Sequence, residues 1–467
     1  MAEEEYEFDL VCIGSGPAGQ RGAVQAAKLG NRVAVIERKR TVGGVCIDTG
    51  TIPSKTFREA VIATANSHRG ARHGSLSGTP TRPSAEQLFE RVSSVVQREE
   101  SIVEQQLRRN DIVMIRGEAA FKDAHTIAVS SEEGRRDITA DKVLIACGTR
   151  PVPPVGVDTL SDVVITSDDV CSLKHLSRTL AVVGAGVIGI EYASMFAKIG
   201  VEVTLIDRRS RPLEFLDHEI VDELIHQMRN CNVTFRFEEV VDHIEVAPGP
   251  RAHAVIHLES GKRIIADMAL FSVGRVGATD TLQLEAAGLC ADERGRLKVN
   301  ASYQTDVQNI FAAGDVIGYP SLAATSSEQG RLAVCHAFGR EARPMAAHFP
   351  IGIYSIPEIS MVGTPEHELT TQRVPYEVGI ARYREIARGQ ILDDDSGLFK
   401  MLFHRDTRQL LGVHAIGTGA TELIHIGQAV IGTGGGLDYF LETVFNYPTL
   451  AECYKVAALD AANKLAR

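Results

Sequence analysis

The sequence predicts an α/β chain of several domains in which one strand–turn–helix–strand unit occurs twice. Three observations carry this. At 467 residues the chain exceeds one ordinary core, and at roughly 150 residues per domain it has room for about three. The segment FDLVCIGSGPAGQRGAVQAAKLGNRVAVIE, ending at Glu37, has a counterpart in RTLAVVGAGVIGIEYASMFAKIGVEVTLID, ending at Asp207. A further stretch follows ARPMAAHFPIG, whose prolines at 344 and 350 signal a turn.

The two copies agree residue by residue. Gly14, Gly16 and Gly19 recur as Gly184, Gly186 and Gly189, and Lys28, Gly30 and Glu37 as Lys198, Gly200 and Asp207, all at an offset of 170. One G-x-G-x-x-G is a weak signal. Two, each after an apolar run and each leading into a helical stretch and a second strand ending in an acid, are not chance. The first glycine permits a tight turn, the second lets the backbone approach a pyrophosphate, and the third lets helix and strand pack closely. The pyrophosphate then lies on the free N–H groups at the helix start. The acid, 23 residues past the first glycine, is placed to accept from a ribose diol. Both copies therefore read as Rossmann-like dinucleotide-binding units, for two dinucleotides or for one with a redundant fold.

Composition narrows the partners. Lys plus Arg number 49 against 60 for Asp plus Glu, a net charge of -11, which disfavours nucleic acid and anionic membranes. No apolar run reaches the ~18 residues of a membrane span, and MAEEEYEFDL is acidic where a secretory leader is basic, so a cytoplasmic location is expected. The eight cysteines form no C-x-x-C pair, and all except Cys46 read as small buried hydrophobes. His414 and His425 lie among apolar residues and read as core histidines; no metal is expected.

The remaining signals divide the labour. NIFAAGDVIG places Asp315 after a strand-like run, where a carboxylate serves a sugar-alcohol hydroxyl or caps a helix. LIACGTRP and LFSVGRVGAT, with Gly148 and Gly274, mark points where the chain passes between domains. VGGVCIDTGTIPSK holds Cys46, and five residues on, where a second thiol would close a short loop, stands Thr51. After Asp207 come Arg208, Arg209 and Arg211, suited to a 2′-phosphate. Glu37 is likewise followed by Arg38, Lys39 and Arg40, so a solvated basic turn is the competing reading.

Taken together, the glycine motifs, GG-x-C…IPSK, the Gly314–Asp315 pair and the C-terminal FNYPTLAE resemble the two-dinucleotide flavoprotein family of lipoamide dehydrogenase, glutathione reductase and mercuric reductase. Within it the chain is most similar to the soluble pyridine nucleotide transhydrogenases. The resemblance implies an FAD domain (1–150 and 276–346), an NAD(P) domain (151–275) and an α+β interface domain (347–467) that pairs subunits into a homodimer or larger assembly. It implies one non-covalent FAD per subunit, on Gly14, Gly16, Gly19, Glu37, Asp315 and the run holding Arg38, Gly43, Gly44 and Cys46. Gly148 and Gly274 would border the cofactors. Gly184, Gly186, Gly189, Asp207, Arg208 and Arg209 would hold NAD or NADP, the substrates. Lys55 and Glu191 would pair beside the flavin.

Two departures then shape the implied chemistry. The flavin-facing thiol is replaced by Thr51, and Tyr447 stands where the resembling enzymes carry a histidine before Pro448 and Glu452. A tyrosine, with an ordinary pKa of about 10, is a poor neutral-pH proton shuttle. The implied activity is therefore hydride transfer between NADPH and NAD⁺ without a redox disulfide, a ping-pong transhydrogenase of the Si-specific type. The alternatives are an NAD(P)H diaphorase or quinone reductase, and a redox-vestigial flavoprotein with a binding role.

Overall fold

The computed structural model describes residues 6–72, 84–154, 162–249 and 252–466. Residues 1–5, including most of the acidic run at the N-terminus, lie outside that set.

The first repeat forms the heart of a parallel sheet. Strands Val113–Arg116, Val33–Glu37, Phe8–Ile13, Gly134–Ile145 and Ile310–Ala312 lie side by side, with Cys12 between Val35 and Leu144. VAVIE is buried at all five positions, the continuous apolar signature of a strand covered on both faces. Two antiparallel strands, Thr126–Ser131 and Glu118–Phe121, extend one edge. The second repeat builds the same plan. Val233–Phe237, Glu202–Asp207, Thr179–Val183, Met268–Phe271 and Val164–Thr166 are all parallel, with the antiparallel strands Val241–Ala247, His253–Leu258 and Arg263–Ala266 alongside.

The repeat helices differ in what covers them. Pro17–Lys28 buries one stripe, whereas Val187–Lys198 is buried continuously from Gly189 to Ala197. Its outer face meets helix Thr51–Arg72, which follows the short helix holding Cys46, and Phe57 packs 5.6 Å from Phe196 and 6.5 Å from Tyr192, centroid to centroid. The second repeat therefore shares one apolar core with the helix that carries Phe57, whereas the first repeat's own strands and helix lie in separate clusters. The chain crosses between their sheets through one ribbon, Thr149–Pro151 antiparallel to Arg275–Gly277, formed from the two Gly-containing turns.

The C-terminal stretch forms a five-stranded antiparallel sheet, in the order Ile351–Ile353, Ile359–Gly363, Leu410–Ile416, Leu398–His404 and Tyr376–Arg382. Helices Ala420–Gly432 and Glu452–Leu465 pack on it, the latter so closely that a Cβ at Gly379 would meet the Ala457 carbonyl at 2.1 Å. The sheet is tied to the second repeat by Lys400, whose side chain is 1% exposed; its Nζ lies 2.6 Å from Glu219, 3.1 Å from Asp217 and in contact with Glu366. No helix among the described residues is long and apolar enough to cross a membrane.

Two expectations about buried residues need correction. His414 is buried, but His425 is exposed, because helix Ala420–Gly432 turns Leu423, Ile424 and Val430 inward and carries His425 on its open side. Of the cysteines expected in cores, Cys12, Cys335 and Cys453 are buried, Cys147, Cys171 and Cys231 only half-buried, and Cys290 is exposed.

Candidate active site between the two repeats

The glycine turns come first. Gly14 has φ +106° and Gly184 φ +104°; a Cβ would lie 2.4 Å from the Ala146 carbonyl at the first and 2.5 Å from the Ser272 carbonyl at the second. At Gly19 and Gly189 a Cβ would come 1.9 Å from the carbonyl of the first glycine of the same turn. These four close the chain on itself. The middle glycines do not: nothing lies within 4 Å of a Cβ at Gly186, and only the Gly44 Cα, at 4.0 Å, near one at Gly16. Both are helix N-caps without a side-chain capping bond. Each repeat thus offers uncapped N–H groups facing open space, which suits a pyrophosphate.

A cavity of about 890 Å³ runs from the first turn to the junction of all three sheets. Gly14, Gly16, Glu37, Arg38, Gly44 and Cys46 border it at one side, and Lys55, Gly148, Glu191 and Asp315 further along. Gly19 and Gly43 support its wall without lining it. Glu37 Oε2 accepts from the Ser15 N–H at 3.0 Å and the Ser15 hydroxyl at 2.6 Å, and Oε1 from the Lys39 N–H at 2.8 Å. Asp315 is the first residue inside a short 3₁₀ turn capped by Gly314, so it is not an N-cap; its Oδ1 accepts from Ser326 Oγ at 3.4 Å. Burial pushes its carboxyl up, against Arg275 nearby. Arg275, which sequence reasoning passed over in favour of Gly274, binds Asp168 at 2.8 Å and Thr149 Oγ1 at 2.9 Å and holds the crossing ribbon. The cavity is lined by the glycine backbone of the first turn and by the carboxylates of Glu37 and Asp315, donors and acceptors whose chemistry suits a dinucleotide's phosphate and sugar groups.

At the far end Lys55 Nζ lies 2.8 Å from Glu191 Oε2 and 5.0 Å from the ring centroid of Tyr354. Glu191 Oε1 accepts the Tyr354 backbone N–H at 2.8 Å. Tyr354 carries no sequence signal. It enters because the C-terminal sheet delivers its backbone to this spot, and exposed His425 borders the same cavity. Thr51 lines the same stretch of cavity as Cys46, and burial raises the Cys46 thiol above its ordinary range. Cys46 is a free, protonated cysteine.

Comparison with known proteins places this geometry. Residues 8–330 match the family described as pyridine nucleotide-disulphide oxidoreductase, and residues 349–458 match its dimerisation domain. The chain belongs to this family. It is 49% identical over 461 residues, 98% of each chain, to a protein of Mycobacterium tuberculosis named soluble pyridine nucleotide transhydrogenase. It is 44% identical over 475 residues, 99% of this chain and 100% of the other, to one of the same name from Serratia proteamaculans. Among solved structures it resembles the HOCl-induced flavoprotein disulfide reductase RclA from Escherichia coli, with TM-score 0.86 and 27% identity, covering 97% of this chain and 99% of that one.

In this member of the pyridine nucleotide-disulphide oxidoreductases, the acid of the second repeat is tightly held. Asp207 is held by the Ala185 N–H at 2.6 Å and by Arg209, both from its backbone and through its guanidinium. Arg208 is exposed, with no ion pair among the described residues. Arg211 binds Asp222 at 2.7 Å and the His218 carbonyl at 3.1 Å. Gly274, φ +125°, faces open space in the adjoining turn. Tyr447 does not reach this chain's own cavity: it is 67% exposed, beside Val444 at 93%. Glu452 Oε2 is buried without a hydrogen-bond partner.

Proposed function

We propose that the chain is an FAD-dependent NAD(P)⁺ transhydrogenase of the Si-specific type, moving hydride from NADPH to NAD⁺ or the reverse by ping-pong kinetics. The observation that carries this reading is a cavity lined by the free Cys46 and by Thr51 in place of a second cysteine, where Lys55 and Glu191 remain paired and both glycine turns are open. A disulfide reductase needs two thiols here, and this site holds one, protonated. The names of the Mycobacterium and Serratia relatives support the same reading.

On this reading residues 1–150 and 276–346 hold one non-covalent FAD, 151–275 take the nicotinamide dinucleotides, and 347–467 pair two subunits in the cytoplasm. FAD supplies a ring that accepts a hydride from one nicotinamide and returns it to another. The protein supplies position and field. Glu37 and Asp315 orient the ribose and polyol, and the uncapped helix starts at Gly16 and Gly186 take the pyrophosphates. The Lys55 ammonium, neutralised by Glu191, offers a fixed donor at the reactive end. Tyr447 and Pro448 reach a neighbour's cavity and exclude water from it.

Stopped-flow mixing tests the reading. NADPH should bleach the flavin, NAD⁺ should restore its colour, and NADH should appear in equal amount. Bleaching reversed by a quinone but not by NAD⁺ would instead establish a quinone reductase, and no bleaching by either nicotinamide a binding protein.

A further inference from the structure

An ion pair at the end of a cavity is only as well placed as the groups around it. The Lys55 ammonium has three N–H groups to give. Glu191 Oε2 at 2.8 Å and Ser54 Oγ at 3.2 Å take two of them. With 26% of its side chain exposed, Lys55 is free to swing on those contacts. A further restraint comes from the ring of Tyr354, whose centroid lies 5.0 Å from Nζ. The Arg58 guanidinium, three residues on, lies 6.0 Å from the same ring. Residues three apart share a face of a helix, so helix Thr51–Arg72 presents two cations to one aromatic side chain.

We propose that Tyr354 is a positioning residue for the Lys55–Glu191 pair, holding the ammonium with its ring and the carboxylate with its backbone N–H. The loop between the first two strands of the third sheet thereby sets the placement of the pair. This deepens the proposed function and rests on Lys55 standing at the reactive end of the cavity.

Three features support it. Tyr354 touches both partners by different groups: Glu191 Oε1 accepts its N–H at 2.8 Å, while Lys55 lies over its ring. The segment that carries it is tied down residue by residue. The Ser355 carbonyl accepts from Arg58 Nε at 3.0 Å, the Ile356 N–H donates to Ser194 Oγ at 3.0 Å, and Glu358 binds the Arg58 guanidinium at 3.0 Å. The ring is therefore a fixed surface that does not follow a drifting ammonium. It is also electrically suited. Burial raises the Tyr354 hydroxyl above its ordinary pKa, so the ring stays a neutral phenol whose face attracts a cation. Such a contact favours the held position of the ammonium by about 3- to 30-fold.

Tyr354→Leu in the FAD-loaded protein tests the ring, because it removes the aromatic face and keeps the backbone N–H. Lysine labelling by acetic anhydride, read by mass spectrometry, should modify Lys55 about 3- to 30-fold faster than in the unaltered protein. Buried Lys400, 1% exposed, should stay equally slow in both. The flavin midpoint potential should fall by about 15–45 mV, the same fold-change at about 30 mV per tenfold for two electrons. The sign follows from an ammonium held less firmly beside a group that gains electrons. Lys55→Met should lower the potential too, and adding Tyr354→Leu to it should lower it no further. Tyr354→Phe, which keeps the ring, should match the unaltered protein in both readouts. Melting temperature reports folding, and Tyr354→Met repeats the test if Tyr354→Leu folds poorly. Unchanged Lys55 labelling in Tyr354→Leu overturns the proposal, as does a Tyr354→Phe variant that behaves like it. An equal rise at Lys400, or a potential shift that persists in full with Lys55→Met, also overturns it, since the effect would then not run through Lys55. Faster Lys55 labelling with an unmoved potential supports the hold on Lys55 and removes Lys55 from the reactive end, a failure of the proposed function alone.

Discussion

Lys55 Nζ and Glu191 Oε2, 136 positions apart in the chain, lie 2.8 Å from each other, joining helix Thr51–Arg72 to the helix of the second repeat. Glu191 is nearly sealed, whereas Lys55 keeps a solvent path. Replacing Lys55 with Met leaves a buried carboxylate uncompensated. The expected cost is about 1–3 kcal/mol, below the value for a fully buried pair because of that path. Flavin reduction by NADPH should slow by about 10²-fold. Urea unfolding and stopped-flow absorbance measure the two effects; a reduction rate within twofold of the parent would remove Lys55 from the reactive end.

Cys46 should be dispensable. Its thiol is protonated and has Thr51 rather than a second sulfur beside it. Cys46→Ser is expected to keep transhydrogenation within about threefold, and the NADPH-reduced protein to show no long-wavelength thiolate-to-flavin absorption. A red two-electron species that disappears in Cys46→Ser would show that this sulfur does take part.

Tyr447 separates packing from proton transfer. Exposed in one chain, it is available to a partner's cavity. Tyr447→Phe should retain most activity, because only the hydroxyl is lost, and Tyr447→Ala should raise oxygen-consuming NADPH oxidation as water enters. Oxygen uptake and transhydrogenation are read on the same preparations. An inactive Tyr447→Phe would assign the hydroxyl an acid–base role.

Lys400 is a tie between sheets. Asp217, Glu219 and Glu366 converge on its buried ammonium. Lys400→Met should cost about 3–5 kcal/mol, since fully buried Asp217 loses its counter-ion. The same substitution with Asp217→Asn should recover part of that loss, and a double-mutant cycle in urea measures how much. Strict additivity would mean the two do not interact.

His414, in the same region, gives stability a pH dependence. Burial lowers its pKa to about 4, outweighing the pull of Asp217. The unfolded chain, with a histidine pKa near 6.5, therefore binds the proton first as pH falls. Stability is full above about pH 6.5 and declines toward pH 4, by up to about 3 kcal/mol from this residue. His414→Gln should flatten that part of the pH profile, as followed by chemical denaturation. An unchanged slope would place the titration elsewhere.

The sequence by itself determined the two-copy plan. Glycine spacing, buried apolar runs such as VAVIE and the terminal acids are local requirements of a strand–turn–helix unit, so they can be read without a partner surface. It also showed Thr51 five residues after Cys46, where a second thiol would stand, because that spacing is read directly from the chain. What it left open was every contact made at a distance. Glu37 and Asp207 head similar basic runs, yet only Arg209 folds onto its acid, because Ala185 lacks the hydroxyl that Ser15 lends to Glu37 and Lys39 has Asp48 to bind instead. His425 looked apolar in its linear neighbourhood, but helix phase decides exposure, and the phase is set by which residues the sheet receives. Tyr354 reaches Glu191 through its backbone N–H, a group every residue but proline carries. Only the packing of the third sheet against the second repeat brings that N–H to the buried carboxylate.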